Sequence, residues 1–274
     1  MIAPSSPQSA RATVQPHKEG TLGWLVIDNP SRRNALNLTM WTQLAQAAQQ
    51  LDQDSSIRAV VVCGAADPDG AGDFSAGADI SEFEATRSSA DSAKAYDAAN
   101  LAAFAALRSL SKPTVALIRG NCLGGGLGLA LACDIRIAAS TARFCLPPAK
   151  LGLAYPVEAI ADVVAAIGPA WTKRLIFTGE RIDAARALQI GLVQDVHPEA
   201  DLVDALAALT NQIIANAPLS QAAGKLAVAA SLAGTSPELL ATAHSAARAC
   251  YESRDFAEGR TAFLQKRKPD FNGD

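Results

Sequence analysis

Between residues 58 and 138, short strand-type runs alternate with a long helical stretch and glycine-bearing loops, and this alternation restricts the fold more than any other feature. Arg58–Cys63 (RAVVVC) is continuously apolar after its arginine, the pattern of a strand covered on both faces. Pro113–Ile118 (PTVALI) reads as a second buried strand, and Asp134–Ala138 (DIRIA) returns as a third. Asp91–Leu110 between them is Ala-rich and helical, and Gly64–Gly72 is a loop rich in Gly, Asp and Pro. Upstream, Thr21–Ile27 (TLGWLVI) is a β-type run closed by the turn signal Asp28-Asn29-Pro30. Asn37 or Thr39 caps a helix through about Leu51, with Leu44, Ala47, Ala48 and Leu51 on one face. Strands and helices alternate to about residue 200, which argues an α/β architecture. From Leu202 onward the signals are helical: Leu202–Asn216, Leu219–Leu232, Pro237–Glu252 and Phe256–Lys266. The expected organisation is a flexible tail over 1–19, a core over 20–200 and a helical region over 201–274.

Composition narrows the function. Of 274 residues 49% are hydrophobic and 19% charged, which excludes disorder as the dominant state. A net charge of -3 lacks the basic footprint of a nucleic-acid binder. The five cysteines show no CxxC pair, so neither a disulfide framework nor a zinc site is supported, and a reducing, cytoplasmic setting is expected. No run approaches the roughly 18 apolar residues of a membrane span. Residues 1–19 are Ser/Pro/Gln-rich with no apolar segment of a secretion signal. HExxH, GxSxG, a Walker-type phosphate loop and EF-hand spacing do not occur. The glycine run CLGGGLGLA misses the dinucleotide pattern because Leu129 stands where its third glycine would be. His17, His197 and His244 all lie outside the glycine-rich loops, which disfavours a His-based triad.

Two segments depart from ordinary packing sequence. One is Asp73–Ile80 (DFSAGADI), after the Arg58–Cys63 strand; the other is Gly120–Gly126 (GNCLGGG), between strand and helix. Small residues leave backbone N–H groups accessible, and a helix opening after Gly125 turns its unpaired N–H groups and positive dipole end outward. Two such amides meeting at one point would stabilise negative charge on a carbonyl oxygen. The same residues also suit a tight turn and close packing, and the pattern alone leaves both readings open.

Asn34-Ala35-Leu36-Asn37, FSAGADI, GGG, Cys133-Asp134 before IRIA, Phe177-Thr178-Gly179, Ala184-Ala185-Arg186-Ala187 and Gly191-Leu192-Val193, in that order, closely resemble the enoyl-CoA hydratase/isomerase (crotonase) superfamily. The resemblance spans about residues 20 to 270 and includes the Phe-Leu-Gln-Lys-Arg-Lys-Pro ending. It implies a spiral of β-β-α units followed by a helical trimerisation region, assembled as a homotrimer or a dimer of trimers. It implies an acyl-CoA substrate, with coenzyme A carried as part of that substrate and no separate cofactor or metal. The N–H groups of Ala76 and Gly125, beside Gly124, would hold the thioester oxygen. Ala76, Gly77, Ala78, Asp79 and Ile80 would follow the pantetheine and adenine path, with Arg32, Asn34, Ala35 and Leu36 nearby. Phe263 and Lys266 would meet CoA bound to a neighbouring subunit. The resemblance makes an enolate the shared intermediate of hydration, isomerisation and decarboxylation.

The sequence also departs from the family. Its hydratases use two glutamates, one after the glycine run and one after an F-x-x-P segment; here Gly128 and Pro148 stand in those places. Neither side chain exchanges a proton, so activation of water by two glutamates is not available there. The expectation is an acyl-CoA lyase or isomerase rather than a classical hydratase. Two other groups are candidates: Tyr155, in a stretch (PPAKLGLAYP) similar to the superfamily's methylmalonyl-CoA decarboxylases, and Glu158, at the start of the Val157–Ile167 helix. Tyr155 is otherwise a buried ring with a satisfied hydroxyl, and Glu158 an ordinary N-terminal helix charge. A catalytically silent acyl-CoA-binding module is the alternative of a different class.

Overall fold

The apolar runs become the centre of a six-stranded sheet. The computed structural model describes residues 12–66, 72–83, 90–234 and 236–274, those at 90–93 by backbone alone. The first half holds strands β1 (Thr13–Glu19) and β2 (Leu22–Asp28), helix α1 (Leu38–Gln53), strand β3 (Ala59–Gly64), helix α2 (Ala90–Ser109), strands β4 (Thr114–Ile118) and β5 (Asn121–Leu123), and helix α3 (Gly125–Ala132). Strands β6 (Ile135–Ala139) and β7 (Arg143–Cys145), helix α4 (Val157–Thr178), strand β8 (Ile182–Asp183), helix α5 (Ala184–Gln189) and strand β9 (Asp195–His197) follow. Four helices close the chain: α6 (Leu202–Ile214), α7 (Pro218–Leu232), α8 (Pro237–Glu252) and α9 (Arg254–Gln265). Two segments read from sequence lie partly outside the described residues: 1–11 of the tail and 67–71 of the Gly64–Gly72 loop.

The large sheet runs β1-β2-β3-β4-β6-β9, antiparallel between β1 and β2 and parallel elsewhere. A small sheet, β5-β7-β8, stands apart from it. Side chains alternate across a strand, so β2, β3 and β4 feed two cores. Leu25, Ile27, Val60, Val62, Ala116 and Ile118 pack with α1, α2 and α3 on one face. Trp24, Val26, Val61, Cys63, Val115 and Leu117 pack on the other with Leu202 and Leu206 of α6. Each such aliphatic side chain contributes about 1.5–3 kcal/mol by leaving water, and both sheet faces are covered as the apolar runs predict. Helix α1 starts where Asn37 accepts a hydrogen bond from Met40 N at 2.9 Å. No helix among the described residues is long and apolar enough to cross a membrane.

One expectation is corrected. Residues 13–19, read as part of a loose tail with His17, form β1, in seven-pair register with β2 across a turn at Gly20 (φ 60°). Only Val14 of β1 is buried; its N–H donates to Gln43 Oε1 at 3.0 Å, and Pro16 sits on the open edge. An edge strand is held by backbone pairing and carries polar residues and proline without penalty, so its composition is that of a tail.

Candidate active site

Asn34 sets the first loop. It is buried in the left-handed region (φ 55°), which asparagine tolerates better than most residues. Its Nδ2 donates to Asp73 O at 2.6 Å and Ala65 O at 3.0 Å, and its Oδ1 accepts from Asn29 N at 2.9 Å. The Asp73–Ile80 segment is thereby stitched to Arg32–Leu36. Arg32 Nη1 lies 3.2 Å from Asp79 Oδ1, and Asp79 accepts from Ser81 N at 3.0 Å, capping a short 3-10 turn.

The backbone amides of this loop can be followed one by one. Ser75 N donates to Asn121 O at 2.9 Å, Ala76 N to Arg33 O at 2.9 Å, Gly77 N to Ser75 Oγ at 3.1 Å and Asp79 N to Leu36 O at 2.9 Å. Ala78 N alone among Ser75–Asp79 has no acceptor among the described residues. The expectation for Ala76 is therefore corrected. Its N–H is consumed in holding the loop to Arg33, and the free donor is two residues on, because the Leu36–Ala78 bridge leaves the Ala78 amide on the opposite side of the strand.

The second free amide is that of Gly125, the first residue of α3, which has no partner four residues back along the helix. Glycine is required at 77 and gives a close approach at 125. Gly77 has φ 92°, and a Cβ there would lie 2.9 Å from Gly125 N and 2.7 Å from Leu123 O. A Cβ on Gly125 would lie 3.6 Å from Ala78 N and 3.1 Å from the Trp41 ring. The two undonated amides are thus neighbours, with the positive end of the α3 dipole behind one of them. Trp41 and Tyr96 brace them from below: Trp41 Nε1 donates to Tyr96 Oη at 3.0 Å, and Tyr96 Oη donates to Leu36 O at 3.2 Å.

Ala78, Gly124 and Gly125 face a cavity of ≈110 Å³ walled by apolar side chains, Phe83, Phe104 and Leu153 among them. No carboxylate lines it among the described residues, and Tyr155 is its one titratable side chain. Pro148 is buried in its wall. At Gly128 a Cβ would lie 2.6 Å from Phe104 Cζ and 2.7 Å from Tyr155 Oη, so these two side chains fill the space a larger residue would need. Tyr155 Oη donates to Gly124 O at 3.3 Å, and burial pushes its phenol well above the ordinary range, keeping it a neutral donor. Cys122 and Cys145 are buried thiols, also pushed up by burial, and serve as small core residues.

Other expected residues sit elsewhere. Glu158 is exposed in the first turn of α4 and does not line the cavity. Phe263 is 82% exposed on α9, and Lys266 caps that helix in the left-handed region (φ 55°); neither reaches this cavity within one chain. Sequence reasoning missed Trp41, Asn100 and Phe104. The available signal was the four-residue spacing of Asn100 and Phe104 from Tyr96 along one helix face.

Comparison with known proteins shows the family and the fold. The family profile described as enoyl-CoA hydratase/isomerase matches residues 17–274. The chain is 33% identical over 251 residues to a short-chain-enoyl-CoA hydratase of Clostridium acetobutylicum, covering 92% of this chain and 94% of that protein. It is 31% identical over 254 residues to a crotonyl-CoA hydratase of Syntrophomonas wolfei, covering 93% and 95%. The crystal structure of an enoyl-CoA hydratase/carnithine racemase from Magnetospirillum magneticum superposes with a TM-score of 0.88 at 34% identity, covering 95% of this chain and 96% of that one.

Proposed function

Because the chain belongs to the enoyl-CoA hydratase/isomerase family and shares its crotonase-like α/β fold, we propose that it acts on an acyl-CoA thioester whose carbonyl oxygen is held by the N–H groups of Ala78 and Gly125. The observation that carries this reading is the pair of neighbouring undonated amides on the wall of an apolar cavity that no carboxylate lines among the described residues. A thioester α-proton is too weakly acidic to leave unaided. Negative charge developing on the oxygen is stabilised by preorganised donors in a water-poor site, each worth roughly 10²–10³ in rate. The Ala76–Ile80 and Arg32–Leu36 segments, joined through Arg33, Leu36 and Asp79, form the path for the pantetheine and adenine parts of the substrate.

The reaction proceeds without two-carboxylate activation of water. Gly128 and Pro148 carry no exchangeable proton, and the space beyond Gly128 is occupied by Phe104 and Tyr155. This supports a lyase or isomerase rather than a classical hydratase. A decarboxylase-like lyase is favoured by Tyr155: loss of CO2 generates the enolate with no base, and a neutral phenol on the cavity wall can orient a carboxylate or protonate the resulting carbon. Exposed apolar side chains on the last helices, Val228, Leu232, Phe263 and Leu264, support assembly as a trimer or a dimer of trimers.

The test is incubation in D2O with saturated, unsaturated and malonyl-type CoA thioesters, following α-deuteration, water addition and CO2 release. We expect α-deuteration or CO2 release that falls by about 10²–10³ in Gly125→Pro, which removes one donor at a helix position that accepts proline. CO2 release sensitive to Tyr155→Phe supports the decarboxylase form. Tight binding with no turnover marks a silent binding module, and undiminished turnover in a folded Gly125→Pro protein overturns the amide-pair reading.

A further inference from the structure

A peptide N–H points opposite to the carbonyl of its own planar trans unit, so an undonated amide is aimed by whatever holds the carbonyl just before it. For Ala78 that carbonyl is Gly77 O, which accepts from Leu36 N at 2.8 Å. Leu36 O in turn accepts from Asp79 N at 2.9 Å and from Tyr96 Oη at 3.2 Å, and Tyr96 Oη accepts from Trp41 Nε1 at 3.0 Å. The bonds from indole to phenol to Leu36 therefore end on the peptide that carries the Ala78 donor. The far edge of the same indole meets the second donor. A Cβ on Gly125 would lie 3.1 Å from both Trp41 Cζ2 and Trp41 Cη2, so the ring closes that side of Gly125. Trp41 and Tyr96 are fully buried. Trp41 meets Phe104 edge to face with centroids 5.7 Å apart, and Tyr96 meets Phe83 in the same way at 6.0 Å. Both rings are held by packing as well as by hydrogen bonds.

We propose that Trp41 and Tyr96 are positioning residues that set the separation and aim of the Ala78 and Gly125 donors. The two amides belong to different loops, and the indole is in contact with the support of each. Neither Trp41 nor Tyr96 lines the cavity, so they act through the backbone and not on the substrate. The geometry they hold is demanding. A donor must come within about 2.7–3.1 Å of the developing oxyanion, and a misplacement of about 1 Å can cost 10²-fold in rate. Hydrogen bonds in series also polarise one another, so the indole N–H strengthens the phenol's hold on Leu36.

This inference rests on the acyl-CoA reading above, and its test separates the two. Butyryl-CoA labelled with carbon-13 at the thioester carbonyl is bound to saturation, checked by calorimetry for each protein, and its carbonyl stretch is recorded by infrared difference spectroscopy. In the native protein the band is expected to fall below its frequency in water. Tyr96→Phe removes the hydroxyl and Trp41→Phe the indole N–H, and each is expected to lose about half of that shift, the share of one of two donors. Leu44→Val, a buried change one turn along α1 from Trp41, is expected to keep the whole shift. Loss of the shift with the thioester still bound is a signature that a merely structural role would not produce. The two phenylalanine variants cut the same link, so if one fails to fold the other decides. A native-sized shift in either folded variant, or an equal loss in Leu44→Val, overturns the positioning role and leaves the acyl-CoA reading standing. A native protein that binds the thioester without a shift removes the amide pair, and one that does not bind it removes the acyl-CoA reading; the positioning role falls with either.

Discussion

Gly128 offers a quantitative test of how the cavity was shaped. A Cβ there would meet Phe104 Cζ at 2.6 Å and Tyr155 Oη at 2.7 Å, both well inside normal contact. Overpacking of this kind costs about 1–3 kcal/mol. Gly128 lies inside α3, where replacing glycine with alanine returns about 0.5–1 kcal/mol of helix stability. Gly128→Ala is therefore expected to destabilise by roughly 0.5–2 kcal/mol, a fall in Tm of about 2–6 °C for a chain of this size. In a Phe104→Leu/Tyr155→Phe background the obstructing atoms are gone and only the helix term remains. The same substitution should then raise Tm by about 1–3 °C. Scanning calorimetry of the four proteins at one concentration and scan rate measures the cycle. An equal loss in both backgrounds, or a gain in the native one, would refute the claim that Phe104 and Tyr155 fill the space beside Gly128. The functional corollary is that Gly128→Glu by itself does not create a hydratase, since the new side chain must first displace both rings.

Asn34→Ala removes two donated bonds and one accepted bond from a buried left-handed position. It should cost roughly 2–4 kcal/mol, and a loss below 1 kcal/mol in denaturant unfolding would contradict its role in stitching the loops. Native-state alkylation with iodoacetamide at pH 8, read by intact mass, should label Cys250 alone. Cys63, Cys122, Cys133 and Cys145 are buried, with burial pushing the Cys63 and Cys133 thiols to about 12; fast labelling of any of these four would show that the core opens.

Much of this was written locally. Runs such as RAVVVC declared strands buried on both faces, Asn37 or Thr39 marked a helix start, and the glycine-bearing loops offered close packing as one of two readings, because each depends on the chemistry of a few adjacent residues. That Gly128 and Pro148 bring no carboxylate was equally plain, since a side chain absent from the sequence is absent from any fold. What remained hidden depended on partners distant in the chain. Strand β1 is invisible in its own composition because its stability lies in the backbone of β2. The spent amide of Ala76 and the free one of Ala78 differ only in which faces Arg33, a matter of loop register that residue types do not encode. Asn100 looks like any polar residue on a helix until the cavity closes over it and leaves its oxygen without a partner. Sequence determined which groups this protein possesses; tertiary structure decided which of their hydrogen bonds are satisfied internally and which are left unmatched, because that depends on where distant segments meet.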